Sequence, residues 1–535
     1  MSRPIERKRD TVREIGERET NMKTSEEKIK MKTNILLAAA LVCAMATISA
    51  PAQTAPPQKM KMTTDIPLSI TTPDPVETRL GTLKFHDGFP DDATVQKVYD
   101  NLDFQRGVQA FLTAIPSANL VSMRHGLREI GAVDGTVAIS ETLLDSKALW
   151  LTPNTDTVYA ASWIDLKNGP VVIESPPECL GIVDDFWFHY VTDLGFVGPD
   201  KGKGGKFLFL PPGYKGEVPE GYYVFRPRTF GNWYLSRGFL VDGSPEARVD
   251  IIKKHTRIYP LSQAANPPEQ KFINITGIPH NTILANDYGF FEQVNQLVQD
   301  EPNEAMDPET MGLLASIGIE KGKPFAPDAR MKKILTESAA VGNATVRALL
   351  VKPRDKANFY YSDSTWSNPL LVGGYEYLQQ PGVRSLDART TGFYYYTGST
   401  PAMSMKMIGM GSQYAYTFVD SEGKPLDGAK TYEVHLPPNI PAKNFWSMIV
   451  YDNQTRSELQ TDQPYPSLGS QKKDLVINPD KSVDVYFGPS APAGKEANWL
   501  QTIPGKGWNP MVRLYGPLEP WFDKTWRPGE VELVK

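Results

Sequence analysis

Cysteine is almost missing from this chain. Of 535 residues only Cys43 and Cys179 are cysteines, and Cys43 sits in a segment expected to be removed. No intramolecular disulfide then stabilises the mature protein, so an oxidising compartment is tolerated but not exploited. Zinc sites built on cysteine are excluded by the same count. Histidine is scarce too: His86, His125, His189, His255, His280 and His435 stand far apart, with no pair at metal-ligand spacing and no H-E-x-x-H. A G-x-S-x-G elbow, a Walker loop and a dinucleotide fingerprint are all lacking. Residues 201–206, KGKGGK, join two strand-like runs without opening a helix, so they read as a solvated hairpin loop and not a phosphate cradle. We expect no metal and no cofactor.

What is present is a large, turn-rich globular chain. Its length suggests two or three compact units. With 40% hydrophobic residues, 22% charged, 42 Gly and 45 Pro, strands joined by loops are favoured over a coiled coil or a disordered tail.

Residues 1–30 are polar and without apolar periodicity. Next come a basic start at Lys28, Lys30 and Lys32, an apolar run over 35–45, and the small residues Ala50, Pro51 and Ala52. This is the layout of a signal peptide with cleavage expected after Ala52, which predicts a periplasmic or secreted protein. The run is shorter than the roughly 18 apolar residues a membrane span needs, and with Met31 at its start the translational start is left open among Met1, Met22 and Met31. Removing 1–52 takes away ten Lys/Arg and seven Asp/Glu, moving the formal charge from −5 to −8. An acidic protein of this kind lacks the basic footprint that nucleic acid or an anionic membrane requires.

After a leader over 53–90, residues 91–115 carry apolar positions at helical spacing; Pro116 is expected to end this helix and a second to follow over 117–130. From 148 to 241, runs such as TVYAASWIDL, GPVVIES, DDFWFHYVTDLGF and NWYLSRGFLV read as short strands, closed by a helix after Ser244 and Pro245. Helices are expected over 286–300 and 308–350. The last third is again β, with GFYYYTG, AMSMKMIG, QYAYTFVD, KTYEVHLP, FWSMIVYD and MVRLYGP as strands and a hairpin turn at 478–481. The expected class is mainly β with helical insertions (α+β): two jelly-roll-like β-sandwich modules, 91–265 and 356–535, joined by a helical connector over 266–355.

The chemistry-bearing residues concentrate in two places. In DDFWFHYVTD, an extended backbone would put Asp185, Trp187, His189 and Asp193 on one face, where a His between carboxylates serves as a general base. The plainer reading is a His satisfied by a neighbouring Asp. In LTPNTDTVYAASWIDLKNGP, Asn154 and Asp156 form a polar turn ahead of a strand whose Thr157, Tyr159, Ala161 and Trp163 share a face. Asp156, Asp185, His189 and Asp193 are therefore the catalytic candidates; Asn154, Tyr159, Arg237, Trp446 and Tyr451 are the ligand-binding candidates. Met403, Met405 and Met407 alternate along an expected strand and read as adaptable packing before a Cu(I) row. Tyr394, Tyr396 and Trp446 could stack on sugar rings, though aromatics at this density more often fill a core.

LTPNTDTVYAASWIDLKNGPVVIESP with GYYVFRPR and WYLSRGF resembles the bacterial domain of unknown function 1254. KTYEVHLPPNIPAKNFWSMIVYDNQTRS, DKSVDVYFGPSAPAGKEANWLQTIPGKGW and MVRLYGPLEPWFDKTWRPGE resemble its usual partner, domain of unknown function 1214. The resemblance implies exported or envelope-associated proteins with jelly-roll-like modules and a homo-oligomer, a trimer, and brings no reaction or catalytic residue. The expected function is an envelope protein that binds a small molecule or glycan or assembles structurally; the alternative is a periplasmic hydrolase of a glycan or ester using Asp and His.

Overall fold

A computed structural model describes residues 60–535; the expected signal peptide, with its expected cleavage after Ala52, falls outside the described residues. The contacts divide the chain after Asp91. In the described part of the first unit, Val76–Thr78 pairs with Gly81–Leu83 and Phe85–His86 with Phe89–Pro90, both antiparallel. Everything below concerns the second unit, Asp92–Lys535, whose mixture of helices and several sheets is of the α+β class.

Its first element corrects an expectation. Pro116 does not end a helix: one helix runs unbroken over Asp92–Glu129 with Pro116 buried inside it. A proline removes its own N–H and displaces the carbonyls one turn earlier. Here those carbonyls find other donors: the Thr390 hydroxyl donates to Leu112 O at 3.3 Å, and Arg389 Nη1 to Thr113 O at 2.8 Å. Tertiary partners thus override a local stop signal. The helix Ala329–Val351 packs along it at close range, because Gly107 and Gly342 supply the room. A Cβ on Gly107 would lie 2.4 Å from Ser338 Oγ, and one on Gly342 2.6 Å from the Phe111 ring. By length and composition Ala329–Val351 is apolar enough to cross a membrane, but its apolar face, with Leu335, Ala339, Val346 and Leu350, is buried in this packing.

Two sheets form the first β region. The larger runs in the order Tyr190–Gly195, Cys179–Asp185, Gly231–Phe239, Thr157–Asp165, Val137–Ile139, Phe272–Asn274, antiparallel except for the last pair. The smaller runs Tyr223–Phe225, Gly205–Phe209, Val171–Ser175, Arg257–Pro260. Alternation along Thr157–Asp165 buries both faces, as its mixed pattern predicts. Val158, Ala160 and Ile164 join Ile173, Phe207 and Phe209 of the smaller sheet in one cluster, while Tyr159, Ala161 and Trp163 face a second cluster.

The last third repeats the plan with Ser412–Tyr416, Trp508–Pro517, Ala442–Asp452, Ser467–Gly469 in one sheet and Trp499–Gln501, Val483–Gly488, Tyr432–Leu436, Glu532–Leu533 in the other. Met448, Val450, Val512 and Leu514 meet Val434, Val485 and Phe487 between them. On the opposite face Tyr414, Tyr416, Ile449, Tyr451 and Met511 enter the same large cluster as Tyr159, Trp163 and Leu235. The inner faces of the two larger sheets therefore share one core.

Two expected strands are helices. Ser385 and Thr400 act as N-caps, accepting from Ala388 N and Ala402 N, so GFYYYTG ends the helix Leu386–Tyr395 and AMSMKMIG opens with the helix Pro401–Ser404. Met403 is buried and Met405 exposed; the methionines form no strand row. Tyr394 and Tyr396 are buried and offer no sugar platform. Residues 478–481 do turn, with Lys481 N donating to Asn478 O at 2.9 Å, but only the following segment, Val483–Gly488, is a strand.

Candidate functional site

Where the two larger sheets face each other, two arginines point into one cavity. Arg237 stands in Gly231–Phe239 between Tyr159 and Leu180 of the neighbouring strands. Arg513 stands in Trp508–Pro517 opposite Tyr414. All five residues, with Tyr396, Ile182 and Met403 among others, line a cavity of about 30 Å³. That is room for a few water-sized groups, a single one needing about 10–15 Å³.

Both guanidiniums are buried, at 7% and 3% exposure, and among the described residues neither has a carboxylate within 4.0 Å. Arg513 is held by neutral acceptors: Nη1 donates to Thr152 O at 3.0 Å, Pro153 O at 3.3 Å and Tyr451 Oη at 2.7 Å, and Nε to Tyr515 Oη at 3.3 Å. Arg237 makes one hydrogen bond among the described residues, Nη1 to Tyr414 Oη at 3.2 Å. Burial works against the charge of each, but the tyrosine oxygens around them more than offset it, Tyr414 first at Arg237 and Tyr451 first at Arg513, so both stay protonated. The nearest acids act only at longer range, Asp193 on Arg237 and Asp156 and Glu458 on Arg513. The cavity is a cationic hole bounded by phenols.

Tyr414 answers that field. Burial pushes its phenol up, yet Arg237 and Arg513 outweigh burial and leave it below the ordinary tyrosine range, whereas burial holds Tyr159, Tyr396 and Tyr515 above it. The Arg513 guanidinium lies over the Tyr414 ring, 4.9 Å from its centroid, and the Ser412 hydroxyl is hydrogen-bonded to Tyr414 Oη. A phenol acidified in this way is a strong hydrogen-bond donor toward a bound anion.

The turn at 152–157 serves this pocket. Asn154 Oδ1 accepts from Asp156 N at 2.9 Å and Thr157 Oγ1 at 2.8 Å, an Asx turn that starts the strand. Its Nδ2 and its backbone N donate to Tyr159 Oη at 2.9 and 3.1 Å, leaving the Tyr159 proton free to point elsewhere. The carbonyls of Thr152 and Pro153 hold Arg513, and Tyr451 Oη also donates to Pro153 O at 2.6 Å. The polar turn is at once a strand start and the seat of a cation.

The nine residues singled out by sequence thus fall in different places. Tyr159 and Arg237 line the pocket, and Asn154 and Tyr451 orient its walls. Asp193 lies opposite Ile182 on the same sheet face, its carboxylate taking hydrogen bonds from Thr400 Oγ1 and, at 3.2 Å, from Tyr190 Oη; burial raises it to about 6. Asp156 lies behind the turn, accepting from Ser467 Oγ at 2.7 Å, and burial pushes it up. Trp446 points to the opposite face of its strand, into the other cluster, and shares no cavity with the rest.

The shared face expected for Asp185, Trp187, His189 and Asp193 does not form. The backbone turns back after Asp185, with Phe188 at φ 58° and Asp185 N donating to His189 O at 2.9 Å. Asp185 Oδ1 accepts from Trp187 N and His189 N at 2.8 and 2.9 Å, and Oδ2 lies 2.9 Å from His189 Nδ1. One carboxylate caps the turn and satisfies the imidazole, which is the plainer of the two readings. Sequence reading missed Arg513 and Tyr414. The signal was there for Arg513: a cation inside the strand-forming run MVRLY, alternating with Met511 and Tyr515.

The family model described as Protein of unknown function (DUF1254) matches residues 135–260, and Protein of unknown function (DUF1214) matches 411–519. No curated protein matches the chain. Among solved structures, the VPA0106 protein from Vibrio parahaemolyticus superposes with a TM-score of 0.51 at 20% identity, covering 81% of this chain and 100% of that one; the likeness is one of fold. An uncharacterised protein from Burkholderia cenocepacia aligns over 82% of this chain and 96% of its own at 11% identity, with a TM-score of 0.36. Arg237 belongs to the first matched segment and Tyr414 and Arg513 to the second, so the pocket draws on both: the chain is a tandem of an N-terminal domain of unknown function 1254 and a C-terminal domain of unknown function 1214.

Proposed function

We propose that this protein is a binding protein whose ligand is a small carboxylate, of the size of formate or acetate, held between Arg237 and Arg513. The observation that carries this is the pair of buried guanidiniums lining one cavity without a carboxylate partner. A bound carboxylate brings a negative charge into direct contact, accepts from both arginines and from the Tyr414 and Tyr159 hydroxyls, and matches a volume of about 30 Å³. Titration of the mature protein with acetate, followed by its melting temperature at constant ionic strength, tests this. A ligand-dependent rise is expected in the wild type and its loss in Arg237→Gln; no response to acetate or formate overturns the reading.

The surrounding picture is an exported envelope protein that works in the periplasm or outside the cell, supported by the signal-like start and the acidic mature chain. We read its two β regions as jelly-roll-like sandwiches, supported by the apolar cluster each keeps between its sheets, and its assembled form as a homo-oligomer. The hydrolase alternative rests on Asp193, a buried carboxyl raised to about 6 beside the pocket. It draws less support, because Asp156, Asp185 and His189 do not converge with Asp193 on one cavity.

A further inference from the structure

A second cavity opens on the far side of the Asp185 turn, and it shares no lining residue with the first. It measures about 310 Å³, at the lower end of the roughly 300–1,000 Å³ that hold small organic ligands. Three arginines line it: Arg228 and Arg384, both exposed, and Arg389, buried at 8% exposure. None has a carboxylate within 4.0 Å among the described residues. Arg389 is anchored by its hydrogen bond to Thr113 O beneath Pro116 and by the Phe393 ring, 5.6 Å from its guanidinium carbon. Arg384 Nε donates to Glu376 O at 3.0 Å.

Two acids also line the cavity, Asp307 and Glu376, but Asp307 is committed to capping, accepting from Thr310 N and Oγ1 at 2.9 and 2.8 Å. Capping keeps that carboxylate ionised, so three arginines face two acids and one positive charge is left over. Flanking the cations is an aromatic wall: Tyr190 and Tyr375 meet edge to face at 5.4 Å, and Tyr377 packs on Phe393 at 5.4 Å. Tyr377 is held at φ 56°, and Gly373 and Gly374 before it are also left-handed. Such conformations persist only where the surroundings fix them, and they cluster at ligand clamps. His189, oriented by Asp185, presents its second ring nitrogen as a further polar group.

Arginines that bind a planar carboxylate in forked geometry, aromatic rings that take the apolar face of a sugar, and a scatter of polar groups for hydroxyls together describe one ligand class. We propose that this cavity binds a pyranose carrying a carboxylate, an acidic sugar of the uronic acid type. The site is independent of the small-carboxylate pocket, and either stands without the other.

The test is calorimetric titration of the mature protein with D-glucuronate and with D-glucose. Glucuronate binds, and glucose binds at least about tenfold more weakly, since a hydrogen bond to a charged group is lost. Arg389 is buried and its removal endangers the fold, so the informative variants are the exposed Arg228→Gln and Arg384→Gln, with Tyr375→Ala for the aromatic wall. Each weakens glucuronate binding about tenfold. Absence of glucuronate binding, equal affinity for glucose, or variants that bind as the wild type does would each overturn the proposal.

Discussion

Arg237 Nη1 donates to the hydroxyl of Tyr414 at 3.2 Å, from one matched domain to the other. That bond spans the seam at which the anion pocket is built, and it ties the acidity of a phenol to the charge of an arginine 177 residues away in sequence.

Tyr414 should ionise below the ordinary tyrosine value of about 10, earlier than any tyrosine around it. Its folded value is depressed, so its contribution to stability is present above the unfolded value and is lost as pH falls through the folded one. Difference absorbance of wild type minus Tyr414→Phe during an alkaline titration should show one phenolate appearing early. Arg237→Gln should move that step upward.

Asp193 predicts the opposite slope. Its carboxyl is raised to about 6 from 3.8 by burial, so the folded protein holds that proton more tightly than the unfolded chain. The associated stability is fully present below about pH 4 and lost as pH rises through about 6, a change on the order of 3 kcal/mol. Urea denaturation at pH 4 and pH 7 should show Asp193→Asn gaining on the wild type by that order as pH rises.

The helix pair has little slack. Gly342→Ala places a methyl 2.6 Å from Phe111 in a buried contact, and the expected cost is about 1–3 kcal/mol. A chemical denaturation midpoint equal to the wild type would show that the helices separate freely.

Asn154→Ala strips the acceptor from Asp156 N and Thr157 Oγ1 and one of the two donors from Tyr159 Oη, which keeps the backbone N of residue 154. We expect a loss on the order of 3 kcal/mol together with weakened acetate binding, because the turn also seats Arg513. Asn154→Asp keeps the two acceptor bonds of the turn and should recover most of the stability, but places a negative charge beside Tyr159 and should not recover binding.

Much of this was legible in the sequence. The alternation in TVYAASWID gave the two faces of its strand, and Pro153 with Asn154 gave the turn. What failed did so for identifiable physical reasons. Pro116 reads as a helix stop until Thr390 and Arg389, far along the chain, take up its freed carbonyls. GFYYYTG is rich in strand formers, yet the Ser385 cap starts a helix before it. DDFWFHYVTD alternates on paper but reverses at Phe188, because the Asp185 carboxylate can hold the turn. The pocket itself was half visible: Tyr159 and Arg237 lie in one strand-rich segment, while Tyr414 and Arg513 reach them only through the pairing of two sheets that no local pattern encodes.

The most direct measurement is a crystal structure of the mature protein grown in acetate. The account predicts a carboxylate within hydrogen-bond distance of both Arg237 and Arg513, with Tyr414 Oη donating to it. A cavity holding only water, with both arginines turned to carboxylate side chains of the protein itself, would contradict it.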